Sequence, residues 1–142
     1  MMPERVKVFD GRVIKAGEAQ AEALVTSEPI GFLGGVDGKT GRVIEKGHPL
    51  EGTCVAGKVL VFPTGKGSTV GSYVLYELAV NGLAPAAILN ADSEPIVAVG
   101  AIIGDIPMVD CVPIELIRTG DWVRVDGAQV TVQSRTLSID QA

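Results

Sequence analysis

The chain has 142 residues, 46% of them hydrophobic and 20% charged, enough for one domain with a core of its own and too few for two. A formal net charge of -5, with one tryptophan and two tyrosines, leaves no basic stripe and no aromatic platform, which argues against nucleic acid and anionic membrane surfaces as partners. Cys54 and Cys111 are far apart, with no C-x-x-C pair and no secretory leader, so they read as buried thiols of a cytoplasmic protein rather than as a disulfide frame or a metal site. The longest uncharged stretch, Leu78 to Ala91, is interrupted by Gly82 and Pro85 and is shorter than the roughly 20 residues a membrane span needs.

No repeat of fixed period and no internal linker is visible. From Arg5 to Thr26, "RVKVFDGRVIKAG" and "EAQAEALVT" alternate β-branched and polar residues around Asp10-Gly11, which predicts antiparallel sheet with a hairpin at that dipeptide. Residues 31 to 52, "GFLGGVDGKTGRVIEKGHPLEG", are too glycine-rich for a helix and read as a long ordered loop. "GKVLVFP" is a continuous apolar run bounded by Gly57 and Pro63, the pattern of a strand buried on both faces. Beyond it, Val70, Val74 and Leu78 mark a helix, with Ser68 or Thr69 as its cap and Gly82 as its stop. "APAAILNA" predicts a second buried strand, and "SEPIVAVGAIIGD" a short helix capped by Ser93. Strand, helix, strand, helix implies a right-handed parallel crossover. "IPMVD", "DWVRVDG", "AQVTVQS" and "TLSID" return the chain to sheet, so the fold class is α/β.

The strongest local signal is the turn from Thr64 to Thr69, because a glycine-rich turn entering a helix offers free backbone N–H groups and the positive end of the helix dipole to an anion. It is not a P-loop, since Gly65-Lys66 is followed by Gly67 and position 60 is Leu60. A dinucleotide fingerprint would need glycine at Val70, and a nucleophile elbow would need glycines in place of Lys66 and Val70. From pattern alone, an anion site and a plain turn with Ser68 as cap stand side by side. His48, the only histidine, precedes Pro49 in a loop and reads as structural; a phosphohistidine carrier would need a helix after it. Asp37 and Lys39 in "GGVDGKTG" fit either a ligand-facing turn or a solvated one. Asn90 ends a predicted parallel strand on the edge where open α/β sheets place ligands, near the 65–69 turn, although Asp92 or Ser93 in the same segment also fits a helix cap.

The segments "FLGGVDGKTGRVIEKGHPLEG", "GKVLVFPTGKGSTVGSYVLYEL" and "GAIIGDIPMVD" resemble the small swivelling subunit of the aconitase X family, over about Val8 to Ser134. The branch they resemble most is the archaeal-type small subunit of phosphomevalonate dehydratase; a neighbouring branch dehydrates cis-3-hydroxy-L-proline. The resemblance implies an aconitase-like swivelling β/β/α domain over residues 1–142, a mixed sheet with a parallel strand-helix core and flanking antiparallel strands. It implies a hydro-lyase acting on a small phosphorylated hydroxy acid, in which a large cysteine-bearing subunit holds a four-iron four-sulfur cluster and this chain binds neither cofactor nor metal. By motif the proton-abstracting serine falls on Ser68, with Gly65, Lys66, Gly67, Thr69, Asp37 and Asn90 as candidate substrate contacts. Two distant cysteines match a small subunit and not a fused enzyme. The competing class is a non-catalytic swivelling binding or carrier module.

Overall fold

The computed structural model describes residues 6–134. Eight strands form one mixed sheet: β1 (Val6–Asp10), β2 (Arg12–Lys15), β3 (Glu18–Val25), β4 (Val59–Phe62), β5 (Ala87–Asn90), β6 (Met108–Asp110), β7 (Trp122–Asp126) and β8 (Gln129–Gln133), in the order β1-β8-β7-β3-β4-β5-β6-β2. Helix α1 (Gly71–Val80) connects β4 to β5, and α2 (Pro95–Ile103) connects β5 to β6. Strands β3 to β6 are mutually parallel, while β7, β8, β1 and β2 pair antiparallel.

β3 joins the two kinds of sheet because its sequence changes character along its length. "EAQAE" alternates and pairs antiparallel with β7; "ALV" is apolar and pairs parallel with β4. The central strands bury residues on both faces and thereby divide the core. Leu60, Phe62, Ile88 and Met108 face the helices and the 26–58 segment, which contributes Phe32, Val36, Val43 and Leu50. Val59, Val61, Ala87, Leu89 and Val109 face inward against Val123, Val125, Val130 and Val132 of the antiparallel strands. The result is a strand layer, a second strand layer and a helix layer, the β/β/α arrangement that the family resemblance implies.

The hairpin expected at Asp10-Gly11 does not form. β1 pairs with β8 and β2 with β6, at opposite ends of the strand order, so the chain passes from one edge of the sheet to the other through Gly11. The sheet thus curls almost into a barrel, and the dipeptide links its two edges instead of folding neighbours together. The Gly11 N–H donates to Ala128 O at 2.9 Å, and a Cβ at Gly11 would collide with the Asp110 carbonyl. Two helix caps also differ from expectation. Glu94, not Ser93, caps α2, accepting from the N–H groups of Ile96 (2.9 Å) and Val97 (2.8 Å), because Ser93 is engaged by Asp110. The cap position of α1 is Val70, with no side-chain cap bond. The "TLSID" segment lies outside the described residues. The 31–52 segment is an irregular, well-packed loop, held by isolated bridges such as Val36 to Val43.

Candidate active site

Because β3 to β6 run in one direction, their carboxyl ends share an edge, and the turn from Pro63 to Val70 leaves that edge from β4. Its first half is anchored to Ile30, whose N–H donates to Thr64 O (3.3 Å) and whose carbonyl accepts from the Lys66 N–H (3.1 Å). Gly65 is buried against Glu94 and Val97, and a Cβ there would strike both, so the start of α2 approaches this turn only because the residue is glycine. Gly67 then reverses the chain with φ of 100°, in the left-handed region that costs glycine no steric penalty.

Beyond that reversal the backbone is left open. The N–H groups of Gly67, Ser68 and Thr69 make no hydrogen bond among the described residues, while the Val70 N–H donates to Ser68 Oγ at 3.2 Å. Residues 66–70 are exposed. Successive unpaired N–H groups at the amino end of a helix form an electropositive concavity suited to an anion. The Ser68 hydroxyl lies within it, its own proton without an acceptor among the described residues. Ser68 and Thr69 therefore do not cap α1 in the expected way. Their carbonyls accept from Gly71 (2.9 Å) and Ser72 (3.3 Å), winding the chain into the helix, and the Ser72 hydroxyl donates to Thr69 O at 3.0 Å.

The other candidates distribute unevenly around this turn. Lys66 Nζ lies 3.0 Å from Glu45 Oε2, an ion pair that ties the turn to the long loop. Asn90 is buried; its Nδ2 donates to Phe62 O (3.0 Å) and Leu89 O (3.2 Å), and its Oδ1 has no partner among the described residues. It braces the ends of β4 and β5 beneath the turn. Asp37 stands elsewhere. Its carboxylate accepts from the Lys39 N–H within its own turn (2.9 Å), and the adjacent Gly38 lies against Glu77 and Asn81. Those residues end α1, which at 1.5 Å per residue puts Asp37 about 15 Å along the helix from Ser68. Residues 31–33 of the same loop do border the turn, with Gly31 against Lys66 and Leu33 beside Gly71. His48 is structural, since its Nδ1 accepts from the Leu50 N–H (3.1 Å), leaving Nε2 to donate to Pro29 O (3.1 Å).

A second polar corner, which the sequence reading missed, occupies the end of β6. Arg12 donates to both oxygens of Asp110 (2.9 and 2.6 Å), and Ser93 donates through its hydroxyl (2.7 Å) and its N–H (3.2 Å). The Arg12 hydrogen bonds, with those of Ser93, hold the Asp110 carboxyl well below the usual carboxylate range against the opposing effect of burial. The only signal was an acid closing an apolar strand, "IPMVD". Neighbouring Cys111 is exposed and Cys54 half-buried, not the buried thiols expected; partial desolvation and the Asp110 charge push the Cys111 thiol up, away from the thiolate a ligand or nucleophile needs. Cys54 Sγ is occupied with Thr40 O at 3.6 Å.

A family model described as the aconitase X swivel domain matches residues 8–134. The chain belongs to that family. Among its relatives, the phosphomevalonate dehydratase small subunit of Methanosarcina acetivorans is 54% identical over 132 residues, covering 91% of this chain and 90% of its own length. The protein of the same name from Methanocella arvoryzae is 61% identical over 120 residues, 82% of this chain and 91% of that one. A crystal structure of Thermococcus kodakaraensis aconitase X in its holo-form superposes with a TM-score of 0.88 at 49% identity, over 90% of this chain and 99% of that one. The swivel fold expected from the sequence is thereby established. No helix among the described residues is long and apolar enough to cross a membrane.

Proposed function

We propose that this chain is the small subunit of a two-chain hydro-lyase that converts (R)-5-phosphomevalonate to trans-anhydromevalonate 5-phosphate, with Ser68 as the proton-abstracting group. The observation that carries this reading is the open set of N–H groups around the Ser68 hydroxyl, in a chain 54–61% identical to relatives named as phosphomevalonate dehydratase small subunits.

The reaction breaks a C–H bond beside a carboxylate and the C–O bond of a tertiary hydroxyl, forms a carbon–carbon double bond and releases water. Ser68 Oγ, as the alkoxide left when its own proton passes to solvent, takes the C–H proton and returns to the hydroxyl, and the departing hydroxide with a solvent proton makes the water. As an oxyanion Ser68 Oγ is stabilised by the Val70 N–H it already accepts and by the positive end of α1. The N–H groups of Gly67, Ser68 and Thr69 receive an anionic oxygen of the substrate and fix its orientation, and Gly65 keeps the backbone close enough for this. Lys66 adds cationic charge, moderated by Glu45. Asn90 holds the strand ends rigid under the turn.

The residues of this chain do not fit an iron–sulfur cluster. Such a cluster takes three or four cysteine thiolates, whereas here there are two cysteines, one bonded to Thr40 and one with a raised pKa, and no metal-binding cluster of side chains exists among the described residues. The cluster belongs in this reading to a cysteine-bearing large subunit, where it would supply a Lewis acid for the departing hydroxyl. The test is anaerobic assembly with that subunit, followed by assays on (R)-5-phosphomevalonate and on cis-3-hydroxy-L-proline. Turnover of the first alone is expected. Turnover of the second alone moves the chain to the neighbouring branch, and turnover of neither by an assembled, cluster-bearing complex removes the dehydratase reading.

A further inference from the structure

We infer that the outward faces of α1 and α2 form the surface on which the large subunit docks, an assignment that rests on the two-chain reading above. α2, "PIVAVGAII", carries no charged or hydrogen-bonding side chain, and the one charge of α1, Glu77, turns toward Gly38. A helix that is apolar all round belongs in an interior, yet α2 lies on the surface of this chain. Its inner side packs Val97 and Ala101 into the core beside Leu75 and Leu78 of α1. Its outer side leaves Val99, Ile102 and Ile103 about half exposed, and α1 leaves Tyr73, Tyr76 and Val80 exposed, two of them to 65%.

The two helices that carry these six side chains pack directly against each other. Gly100 lets the helices touch, since a Cβ there would stand 2.6 Å from Leu75 Cδ1 and 3.2 Å from Ser72 Cα. A shallow groove of about 220 Å³, lined by Thr69, Ser72, Pro95, Ile96 and Val99, joins the two faces. Together the six side chains expose on the order of 600 Å² over the two helices, an area comparable with the roughly 300–600 Å² of the largest apolar patch on a typical monomer. That approaches the roughly 800 Å² each partner contributes to a stable interface.

The position of the groove selects the occupant. It begins at Thr69, the residue after Ser68, so a chain lying along it arrives at the open N–H groups, where the other half of the active site has to be. A second copy of this chain, paired over the same helices, would bring to either Ser68 turn only what this chain already holds, with no set of cysteines for a cluster. The absence of charge selects an apolar surface on the large subunit.

The test is the double variant Tyr73→Glu/Ile103→Lys, which puts an acid in the first turn of α1 and a base in the last turn of α2, where the helix dipoles favour them. Binding to the co-expressed large subunit is measured by calorimetry and sedimentation, and the melting temperature of the lone chain is recorded beside it. A melting temperature within a few degrees of the parent and a loss of affinity of 100-fold or more is the expected result. A second variant, Tyr73→Ala, should weaken binding about tenfold if the double variant fails to fold. Parent-like affinity in the folded variants overturns the docking face while leaving the two-chain reading intact. Failure of the parent chain itself to bind removes the two-chain reading and this assignment with it. Concentration-dependent self-association of the lone chain, abolished by the variants while large-subunit binding persists, assigns the face to a second copy and overturns the proposal.

Discussion

The Ser68 turn and the Asp110 corner stand at the ends of β4 and β6 on one edge of one sheet, yet they treat their polar groups in opposite ways. At Asp110 both carboxylate oxygens are saturated, by Arg12 and Ser93, and the side chain is fully buried. At Ser68 three consecutive N–H groups and a hydroxyl proton are left without partners among the described residues and are exposed. A buried polar group left unpaired costs about 1–3 kcal/mol, so the first corner must be closed; an exposed turn is satisfied by water and stays available for a substrate. The contrast separates residues that hold the fold from residues kept for chemistry, and each prediction below tests one side of it.

The largest effect is expected at Ser68. In the assembled complex, Ser68→Ala should lower the single-turnover rate by roughly 10²–10⁴ with substrate affinity nearly unchanged, because it removes a group that acts on the proton in transit. The melting temperature should move little, since the lost contact is one exposed hydrogen bond of 3.2 Å. Near-parent turnover would reduce this serine to a turn residue and erase the contrast.

Asp110→Asn should do the reverse, costing stability rather than the proton-transfer step. Removing one partner of a fully buried pair costs roughly 3–5 kcal/mol. Here Arg12 is 62% exposed and can turn to water, so about 2 kcal/mol is the expected loss. The sign of the pH dependence follows from the lowered pKa of Asp110 in the folded state. Its contribution is fully present above the unfolded carboxylate value of about 3.9 and disappears as pH falls through the lower folded value. Denaturation midpoints between about pH 5 and pH 2 should therefore fall more steeply for the parent than for Asp110→Asn. Equal slopes would mean that the corner contributes no such linkage.

Much of this was legible from sequence where the signal is local. The change from the run "VLVF" to "TGKGST" and then to helical spacing announces strand, turn and helix, and the alternation of "WVRVD" and "QVTVQ" announces antiparallel strands. What was not legible depends on long-range closure. Asp10-Gly11 carries the local chemistry of a hairpin, but the partners of β1 and β2 come from residues about a hundred positions later, and no local rule foresees an edge-to-edge link. Arg12 and Asp110 are 98 residues apart and meet for the same reason. The path of the 26–58 segment is set by burial of Phe32, Val36, Val43 and Leu50, and it carries Asp37 to the far end of α1 although "GGVDGKTG" reads as a ligand turn.

Glu94 connects the two kinds of residue, since it caps α2 and also backs Gly65. Glu94→Ala should cost about 1 kcal/mol, the usual worth of a cap. It should also slow turnover severalfold by loosening the wall behind the turn. A stability loss with no change in rate would show that the turn keeps its shape without this support.

The smallest effect is expected at Ser72, and it sharpens the comparison most economically. Its hydroxyl lies one helical turn from that of Ser68 in the sequence and donates to Thr69 O at 3.0 Å, a carbonyl that already accepts the Ser72 N–H. Replacement by alanine removes a duplicate bond at a largely buried site and substitutes a better helix former, so the change in stability should stay within about 0.5 kcal/mol. The three open N–H groups are untouched, because none depends on Ser72. Turnover should then stay within about twofold of the parent, against the roughly 10²–10⁴ loss at Ser68. If Ser72→Ala were as slow as Ser68→Ala, the rate would be reporting the order of the whole helix start rather than one hydroxyl, and the assignment of the base to Ser68 would fail even with its own variant inactive.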